Sequence, residues 1–225
     1  MNLLTLLLEL LFPSKCPFCR GVLDGPGVCP DCLRTLPWTE GPDSLRELEP
    51  GLLCAAPLWY AGPVREGIRR FKFRGAVGAA VPMGELVARC SAGHFPGQFD
   101  LVTWAPVSAK RLRQRGYDQA RLLAENACAH WGVKPVRLLR KIRDNPAQSS
   151  LDSAGARRRN TRRVYRPAGD CEGKRVLLVD DVCTTGATLS ACAGVLRAAG
   201  AAEVVCAVAA FPRRDRETWG EKAKE

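Results

Sequence analysis

One stretch of the chain decides the fold: Val176-Leu177-Leu178-Val179-Asp180-Asp181-Val182-Cys183-Thr184-Thr185-Gly186-Ala187-Thr188-Leu189. Its first four apolar residues predict a short buried strand, and two adjacent carboxylates follow at the end of that strand. A turn of small and hydroxyl-bearing residues then leads into a helical pattern. Such a strand–loop–helix unit aims free backbone N–H groups and the positive end of a helix dipole at one point, which predicts an anion site suited to phosphate.

The side chains of this stretch indicate what accompanies the phosphate. The three threonines can donate hydroxyl hydrogen bonds, and Gly186 lets the backbone approach a ligand closely. Asp180 and Asp181 would repel phosphate, whereas they suit the hydroxyls of a sugar or the water around a divalent cation such as Mg²⁺. The pattern therefore predicts a site for a phosphorylated sugar with magnesium. The alternative is an ordinary βα turn that happens to carry two aspartates.

The fourteen residues resemble the 5-phosphoribosyl-1-pyrophosphate (PRPP) motif of type I phosphoribosyltransferases. In that motif four apolar residues precede two acidic and two apolar residues, and then Thr-Thr-Gly-x-Thr and an apolar residue follow. This chain departs from the motif at Cys183, where an apolar residue is usual. A nucleoside-triphosphate loop is disfavoured because the sequence Gly-x-x-x-x-Gly-Lys-Ser/Thr does not occur, and the dinucleotide fingerprint Gly-x-Gly-x-x-Gly is also missing.

The resemblance implies a division of roles in binding PRPP. As catalytic residues, Asp180 and Asp181 would hold the ribose 2′- and 3′-hydroxyls. The 5′-phosphate would bind the loop formed by Cys183, Thr184, Thr185, Gly186, Ala187 and Thr188. Pyrophosphate and Mg²⁺ would bind the backbone after Pro106 together with Arg111 or nearby basic residues. Catalysis in a transferase would then consist of positioning and of charge stabilisation as pyrophosphate leaves C1.

Two Cys-x-x-Cys pairs lie near the amino terminus, Cys16-Pro17-Phe18-Cys19 and Cys29-Pro30-Asp31-Cys32. Each pair can hold a metal ion with two thiolates, so the four cysteines Cys16, Cys19, Cys29 and Cys32 predict a tetrahedral structural zinc site. Only nine residues separate the pairs, which is short for a zinc ribbon and predicts a compact knuckle. The alternatives are disulfides and a thioredoxin-like redox motif.

The other seven cysteines are scattered at irregular spacing. The odd total of eleven excludes a complete disulfide framework and favours a reducing compartment, so we expect a cytoplasmic protein. Cys192 and Cys206 lie in apolar periodic segments and are expected to be small core residues. Cys183 lies in the anion loop, where N–H groups would lower the pKa of a thiol. A packing role and a redox role therefore both stay open for Cys183.

The first twelve residues, Met-Asn-Leu-Leu-Thr-Leu-Leu-Leu-Glu-Leu-Leu-Phe, are apolar and end at Pro13. A membrane helix needs about 20 apolar residues, and a secretory signal needs a basic start and a small-residue cleavage site. The segment therefore predicts a short helix packed on the body of the protein or on the zinc knuckle, without stable membrane insertion. Contact with a membrane surface or with a partner stays open.

The formal net charge of +11 predicts anionic partners. Basic residues concentrate in three clusters, at 110–115, 137–143 and 157–166. Pyrophosphate and a nucleic-acid backbone both fit such clusters. Aromatic platforms would favour single-stranded DNA. The basic segments, however, offer only Phe71, Phe73, Tyr117 and Tyr165.

Strands and helices are expected to alternate along the chain. The predicted strands lie at 52–60, 101–107, 136–142, 175–179 and 203–210. The predicted helices lie at 63–73, 77–89, within 112–131 and at 186–199. This alternation predicts an α/β fold with a mostly parallel sheet and helices on both faces, which binds ligands at the carboxyl ends of its strands. Residues 1–50 would form the amino-terminal helix, the knuckle and a linker at 33–50, and residues 51–225 the phosphoribosyltransferase-like domain.

The order of these parts resembles the ComF family of competence proteins. The blocks that carry the resemblance are Arg69-Arg70-Phe71-Lys72-Phe73-Arg74-Gly75, Arg111-Leu112-Arg113-Gln114-Arg115-Gly116-Tyr117-Asp118-Gln119-Ala120, Gln148 and Arg158-Arg159-Asn160. Asp118 departs from the family, in which Asn is common, and this puts the role of that position in doubt. The resemblance implies a type I phosphoribosyltransferase-like fold, binding of PRPP and of incoming single-stranded DNA, and a cytoplasmic role in natural competence.

Two main classes of function stay open for the sequence. One is a DNA-uptake protein that binds PRPP and holds single-stranded DNA on its basic face and zinc knuckle. The other is an active phosphoribosyltransferase of nucleotide metabolism, which would transfer a phosphoribosyl group from PRPP to a base or another nucleophile. A third is a zinc-stabilised protein that tethers a partner such as a competence helicase. His94 and His130 lie away from the motifs and are interpreted as structural.

Overall fold

The computed structural model describes residues 13–143 and 164–213. Its amino-terminal part is a small module built around the two cysteine pairs. Strands β1 (Ser14–Lys15) and β2 (Val22–Leu23) form an antiparallel ribbon, and helix α1 (Pro30–Thr35) follows. Pro30 opens α1, where its missing N–H leaves no hydrogen bond unmade.

A six-stranded sheet forms the body of the protein. The remaining strands of the chain are β3 (Leu45–Glu49), β4 (Leu52–Ala55), β5 (Leu58–Trp59), β6 (Leu101–Trp104), β7 (Leu139–Lys141), β8 (Tyr165–Pro167), β9 (Arg175–Val182) and β10 (Glu203–Phe211). The strand order is β3-β4-β10-β9-β6, and β5 pairs with β10. Every pairing in this sheet is parallel except that of β3 with β4. The predicted mostly parallel sheet is confirmed.

Helices cover both faces of the sheet, as predicted. They are α2 (Gly62–Phe73), α3 (Ala80–His94), α4 (Ala109–Arg115), α5 (Gln119–His130) and α6 (Ala187–Ala198). Alternating residues of β9 separate two cores. Leu177 and Val179 pack with α2, α3 and α5, whereas Val176 and Leu178 pack with α6 and with the strands β7 and β8.

Three sequence predictions were wrong in detail. Leu45–Glu49, predicted as part of a linker, is the edge strand β3. The segment 52–60 forms two short strands, because Pro57 has no N–H for a continuous ladder. The segment 136–142 supplies β7, which pairs with β8 in a separate antiparallel ribbon and not in the main sheet. The domain boundary after residue 50 stays a prediction.

Candidate functional site

The four predicted zinc ligands come together in the amino-terminal module. The Sγ atoms of Cys16, Cys19, Cys29 and Cys32 all lie within 4.8 Å of one another. The Sγ atoms of Cys19 and Cys29 are 3.5 Å apart. A tetrahedral Zn²⁺ with Zn–S bonds of about 2.3 Å would set its sulfur atoms about 3.8 Å apart. The cluster therefore has the dimensions of a Cys₄ zinc site.

The surroundings of the sulfur atoms also fit a cation. The N–H of Gly21 points at Cys19 Sγ over 3.4 Å, and the N–H of Cys32 points at Cys29 Sγ over 3.4 Å. Burial would raise the pKa of Cys16, but N–H groups of Cys19 and Cys29 outweigh it and lower the pKa to about 7. Burial and the neighbouring sulfur atoms raise the pKa of Cys32. A dication would remove the repulsion between the thiolates, so the module supports a structural zinc.

The two aspartates lie inside β9 and not after it, because the strand continues to Val182. The parallel partner β10 sustains it, with Val208 opposite Asp180. Successive strand residues point to opposite faces of a sheet. Asp181 therefore faces α2, and Asp180 faces the core that holds α6, where its charge acts on Cys192. The two carboxylates have different neighbours, which the sequence motif alone did not reveal.

Asp181 is held by a cation from α2. Lys72 Nζ lies 2.7 Å from Asp181 Oδ1, and the two side chains are 21% and 11% exposed. Removing one partner of an ion pair so shielded from water leaves the other charge buried and uncompensated. Lys72 lies in the block that resembles the ComF family, but sequence reasoning assigned it no role, since nothing local connects residue 72 with residue 181.

Asp180, unlike Asp181, has no cation paired with it within the described residues. Its Oδ1 accepts a hydrogen bond from the N–H of Asp181 at 2.8 Å. Burial raises the pKa of Asp180 well above its ordinary value, the charge of Asp181 raises it further, and Lys72 acts in the opposite direction. Within residues 13–143 and 164–213, no ion pair reaches Asp180. A cation or a hydroxyl donor arriving at this carboxylate would stabilise it.

The loop after β9 has the architecture of an anion site. Cys183 is buried, and its N–H donates to the carbonyl of Ala210 at 3.3 Å, which anchors the start of the loop. Thr184 and Thr185 are exposed, and Thr185 Oγ1 accepts the N–H of Ala187 at 3.4 Å. The twelve-residue helix α6 begins at Ala187, so the loop lies at the positive end of its dipole. The burial of Cys183 favours the packing role over the redox role.

Gly186 turns the loop into α6. Its backbone is left-handed, with φ +78° and ψ −9°. A methyl group on Gly186 would lie 3.3 Å from the side chain of Leu48. The left-handed backbone therefore favours glycine here, and an added methyl group would also crowd the side chain of Leu48. Leu48 belongs to β3, so the edge strand that sequence analysis assigned to a linker supports the loop from one side.

Arg111 of α4 lies near enough to Tyr165 of β8 for its charge to act on the tyrosine hydroxyl. Burial raises the pKa of Tyr165, while the charge of Arg111 and the side chain of Thr188 act to lower it. Arg111 is exposed in the first turn of α4, where its N–H donates to Ser108 Oγ at 3.3 Å. The guanidinium of Arg111 is thus available to an anion bound near Thr188.

Asp118, the position at which the ComF family more often has Asn, caps a helix. Its Oδ1 accepts the N–H of Arg121 at 3.2 Å, at the start of α5, and its Oδ2 accepts the N–H of Val107 at 3.1 Å. Burial raises the pKa of Asp118. The first N–H after Pro106 is thereby used inside the protein, so that group does not serve the pyrophosphate contact expected there. Arg111 remains the candidate for that contact.

The remaining candidate residues are placed as follows. His94 Nε2 lies 2.8 Å from Ser44 Oγ, and the ring of His130 packs edge-on against Trp131, both in accord with structural roles. Cys192 and Cys206 are fully buried in the core, as expected. Three predictions fall outside the described residues: the helix at 1–12, Gln148 and the block 158–160.

Comparison with protein families matches two parts of the chain. Residues 102–225 match the phosphoribosyl transferase domain, and residues 7–43 match the double zinc ribbon domain. The first match spans more than half of the chain. Together with the sheet and the Cys₄ cluster, these matches define a type I phosphoribosyltransferase-like protein with an amino-terminal zinc module.

Several relatives of this chain carry names connected with DNA. The DNA utilization protein YhgH of Salmonella typhi is 30% identical over 196 residues, which cover 85% of this chain and 81% of the relative. The protein of the same name from Salmonella typhimurium is 29% identical over 212 residues, with coverages of 84% and 86%. The competence protein ComFC of Bacillus subtilis is 28% identical over 152 residues, with coverages of 65% and 58%.

The chain belongs to the ComF family, as its motifs indicate. Within the part of the chain that the structure describes, we find no helix with the length and apolar character needed to cross a membrane.

Proposed function

We propose that this protein binds PRPP with Mg²⁺ at the loop that follows β9. One observation carries the proposal: three groups with complementary chemistry converge at one edge of the sheet. They are the loop at the amino end of α6, the half-buried carboxylate of Asp180 and the exposed guanidinium of Arg111. The loop suits a phosphate, the carboxylate suits sugar hydroxyls and the guanidinium suits a pyrophosphate. PRPP carries a phosphate, sugar hydroxyls and a pyrophosphate in one molecule.

The proposed roles follow from the surroundings of each group. The loop from Thr184 to Thr188 takes the 5′-phosphate through N–H and hydroxyl donors. Asp180 accepts a ribose hydroxyl, since it is the carboxylate without an internal cation. Asp181 is already paired with Lys72 and completes the acidic pair from the opposite face. Arg111 contacts the pyrophosphate, whose remaining charge Mg²⁺ neutralises.

We further infer that the protein acts in DNA uptake in the cytoplasm and binds single-stranded DNA. The relatives named for DNA utilization and competence support this role. So does an aromatic and basic surface at the end of α2. Phe73 is 66% exposed, and the guanidinium carbon of Arg115 lies 4.8 Å from the centre of its ring. An exposed ring beside guanidinium groups suits the stacking of unpaired bases.

Phosphoribosyl transfer to a base or another nucleophile is the second candidate function. The threonine loop and the acidic pair favour it, because they would serve transfer as well as binding. The two functions differ in one measurable product, since only transfer releases pyrophosphate when an acceptor is added to the PRPP complex.

The deciding experiment is calorimetric titration of the zinc-loaded protein with PRPP and Mg²⁺. We expect saturable binding to the wild-type chain and its loss in Asp180→Asn. Asp170→Asn is the matched control, because Asp170 is exposed and its carboxylate accepts a hydrogen bond from the nearby N–H of Glu172, away from the loop. Unchanged affinity in Asp180→Asn would refute the site. Failure of a folded, zinc-loaded wild-type chain to bind would refute PRPP as the ligand.

A further inference from the structure

The last turns of α2 touch both the zinc module and the acidic pair. Arg70 donates from one guanidinium nitrogen to the carbonyl of Pro17 at 2.8 Å and to that of Phe18 at 2.9 Å. These two carbonyls belong to the turn between Cys16 and Cys19. Two residues after Arg70 on the same helix, Lys72 reaches Asp181 at 2.7 Å. Residues two positions apart on a helix do not share a face, so α2 presents one cation to each site.

The contact of α2 with the zinc turn is a contact of backbones. A methyl group built on Gly67 would lie 2.7 Å from the carbonyl oxygen of Pro17 and 3.2 Å from the ring of Phe18. Phe18, which stands between the two cysteines, is 4% exposed and is part of the core that includes Ile68 and Phe71. The helix and the turn are therefore closely packed against each other. Because there is no space between them, a shift of the turn must displace α2 as well.

We propose that Lys72 is a positioning residue of the phosphosugar site, and that the zinc turn holds it in place through Arg70. The proposal rests on the proposed function for the identity of the ligand. The carbonyls of Pro17 and Phe18 converge on Arg70 only while the turn keeps its closed shape. Zinc bound by Cys16 and Cys19 would maintain that shape.

Lys72 matters to the ligand because it balances one of two adjacent carboxylates. Lys72 pairs with Asp181, and its charge acts to lower the raised pKa of Asp180. Without Lys72, the charge of Asp181 acts on Asp180 with less opposition and favours a proton on Asp180, which makes that carboxyl a poorer acceptor for a ribose hydroxyl. Loss of Lys72 should therefore weaken PRPP binding most at low pH, which a purely structural role would not produce.

The test compares Arg70→Met with Arg69→Met, in the zinc-loaded chain. Arg69 is the matched control, since it is exposed and its ion pair with Glu66 spans 4.0 Å. Lys72→Met and Lys72→Arg complete the set. We expect PRPP affinity to fall about fivefold or more in Arg70→Met, at the lower bound of typical coupling, and to stay unchanged in Arg69→Met. In Lys72→Met the pH at which binding is half-maximal should move upward, and Lys72→Arg should restore it.

A second readout needs no ligand. Acylation of lysine amines, followed by mass spectrometry of peptides, reports how well Lys72 is shielded, with the exposed Lys110 as internal reference. We expect Lys72 to react at least several-fold faster in Arg70→Met and after zinc chelation than in the zinc-loaded wild type. Arg70→Gln, which keeps one amide donor, serves if Arg70→Met does not fold.

The outcomes separate the two proposals. If the wild type fails to bind PRPP, the proposed function fails, and the acylation rates still decide whether Arg70 positions Lys72. If PRPP binds and both PRPP affinity and Lys72 reactivity are the same in Arg70→Met as in Arg69→Met, the positioning role is overturned while the PRPP site stands.

Discussion

Replacing Gly186 by alanine should separate the stability of the phosphate loop from its ability to bind. The residue has φ +78°, a left-handed conformation that an L side chain adopts at a cost of about 1–2 kcal/mol. The new methyl group would also meet Leu48 at 3.3 Å, a close contact that the flexible Leu48 side chain can relieve by moving slightly. We therefore expect a loss of about 1–2 kcal/mol, set mainly by the backbone.

Gly132→Ala provides the matched control. Gly132 has φ +67°, and a methyl group added to it would meet no atom within 4 Å, so this variant carries the backbone penalty without the contact. It follows α5 and has no place in the proposed site. Since a domain of this size loses about 2–4 °C in Tm per kcal/mol, both variants should melt about 2–8 °C below the wild type in thermal unfolding followed by circular dichroism.

PRPP affinity should distinguish the two variants. A loop that leaves the left-handed conformation at Gly186 re-aims the N–H groups at the start of α6, so we expect calorimetry to show binding weakened about tenfold, which corresponds to about 1.4 kcal/mol. Gly132→Ala should bind as the wild type does. If Gly186→Ala lost stability and kept wild-type affinity, the loop would not be the phosphate site. Adding Leu48→Ala should recover part of the loss if crowding contributes.

Three further predictions concern charge and metal. Without ligand, Asp180→Asn should have a higher Tm than the wild type at neutral pH. The pKa of Asp180 is higher in the folded than in the unfolded state, so the wild type loses stability as pH rises and this carboxyl ionises. The gain in Tm should vanish in acid, where the wild-type carboxyl is protonated in both states. An equal gain at all pH values would contradict this. Affinity for single-stranded DNA should fall steeply with salt, and Phe73→Ala should weaken it at every salt concentration in a fluorescence anisotropy assay; a flat salt response would exclude backbone contacts by arginines. Elemental analysis should find one zinc per chain, lost in Cys16→Ser; a metal-free wild type would refute the zinc site.

The sequence was sufficient to predict features in which spacing alone determines geometry. The Cys₄ cluster follows from two Cys-x-x-Cys pairs, each of which brings two thiols to one metal edge. The strand–loop–helix unit at 176–199 follows from an apolar run, a glycine-centred turn and a helical repeat. In both cases the decisive contacts are local, so tertiary packing had little freedom to alter them.

The features that were missed depend on partners distant in sequence. The motif placed Asp180 and Asp181 after the strand because aspartate disfavours strands, yet pairing with β10 carries β9 on to Val182. The edge strand β3 was assigned to a linker because its charged residues hide the apolar pattern, although charges are common on edge strands. For Asp118, the sequence is compatible both with a ligand-binding carboxylate and with a helix cap. The hydrogen bonds that it accepts from the N–H groups of Arg121 and Val107 identify it as a helix cap.

The opposite orientations of the two aspartates also explain why the proposed ligand should require magnesium. Lys72 balances Asp181 from within the protein, whereas within the described residues no ion pair reaches Asp180. A free polyphosphate would bring further negative charge to this edge and raise the repulsion. A sugar phosphate that arrives with Mg²⁺ brings a cation for the pyrophosphate and hydroxyl donors for Asp180 together. In calorimetric titrations, the PRPP affinity of the wild type should therefore fall sharply when Mg²⁺ is chelated, and an unchanged affinity would contradict this account.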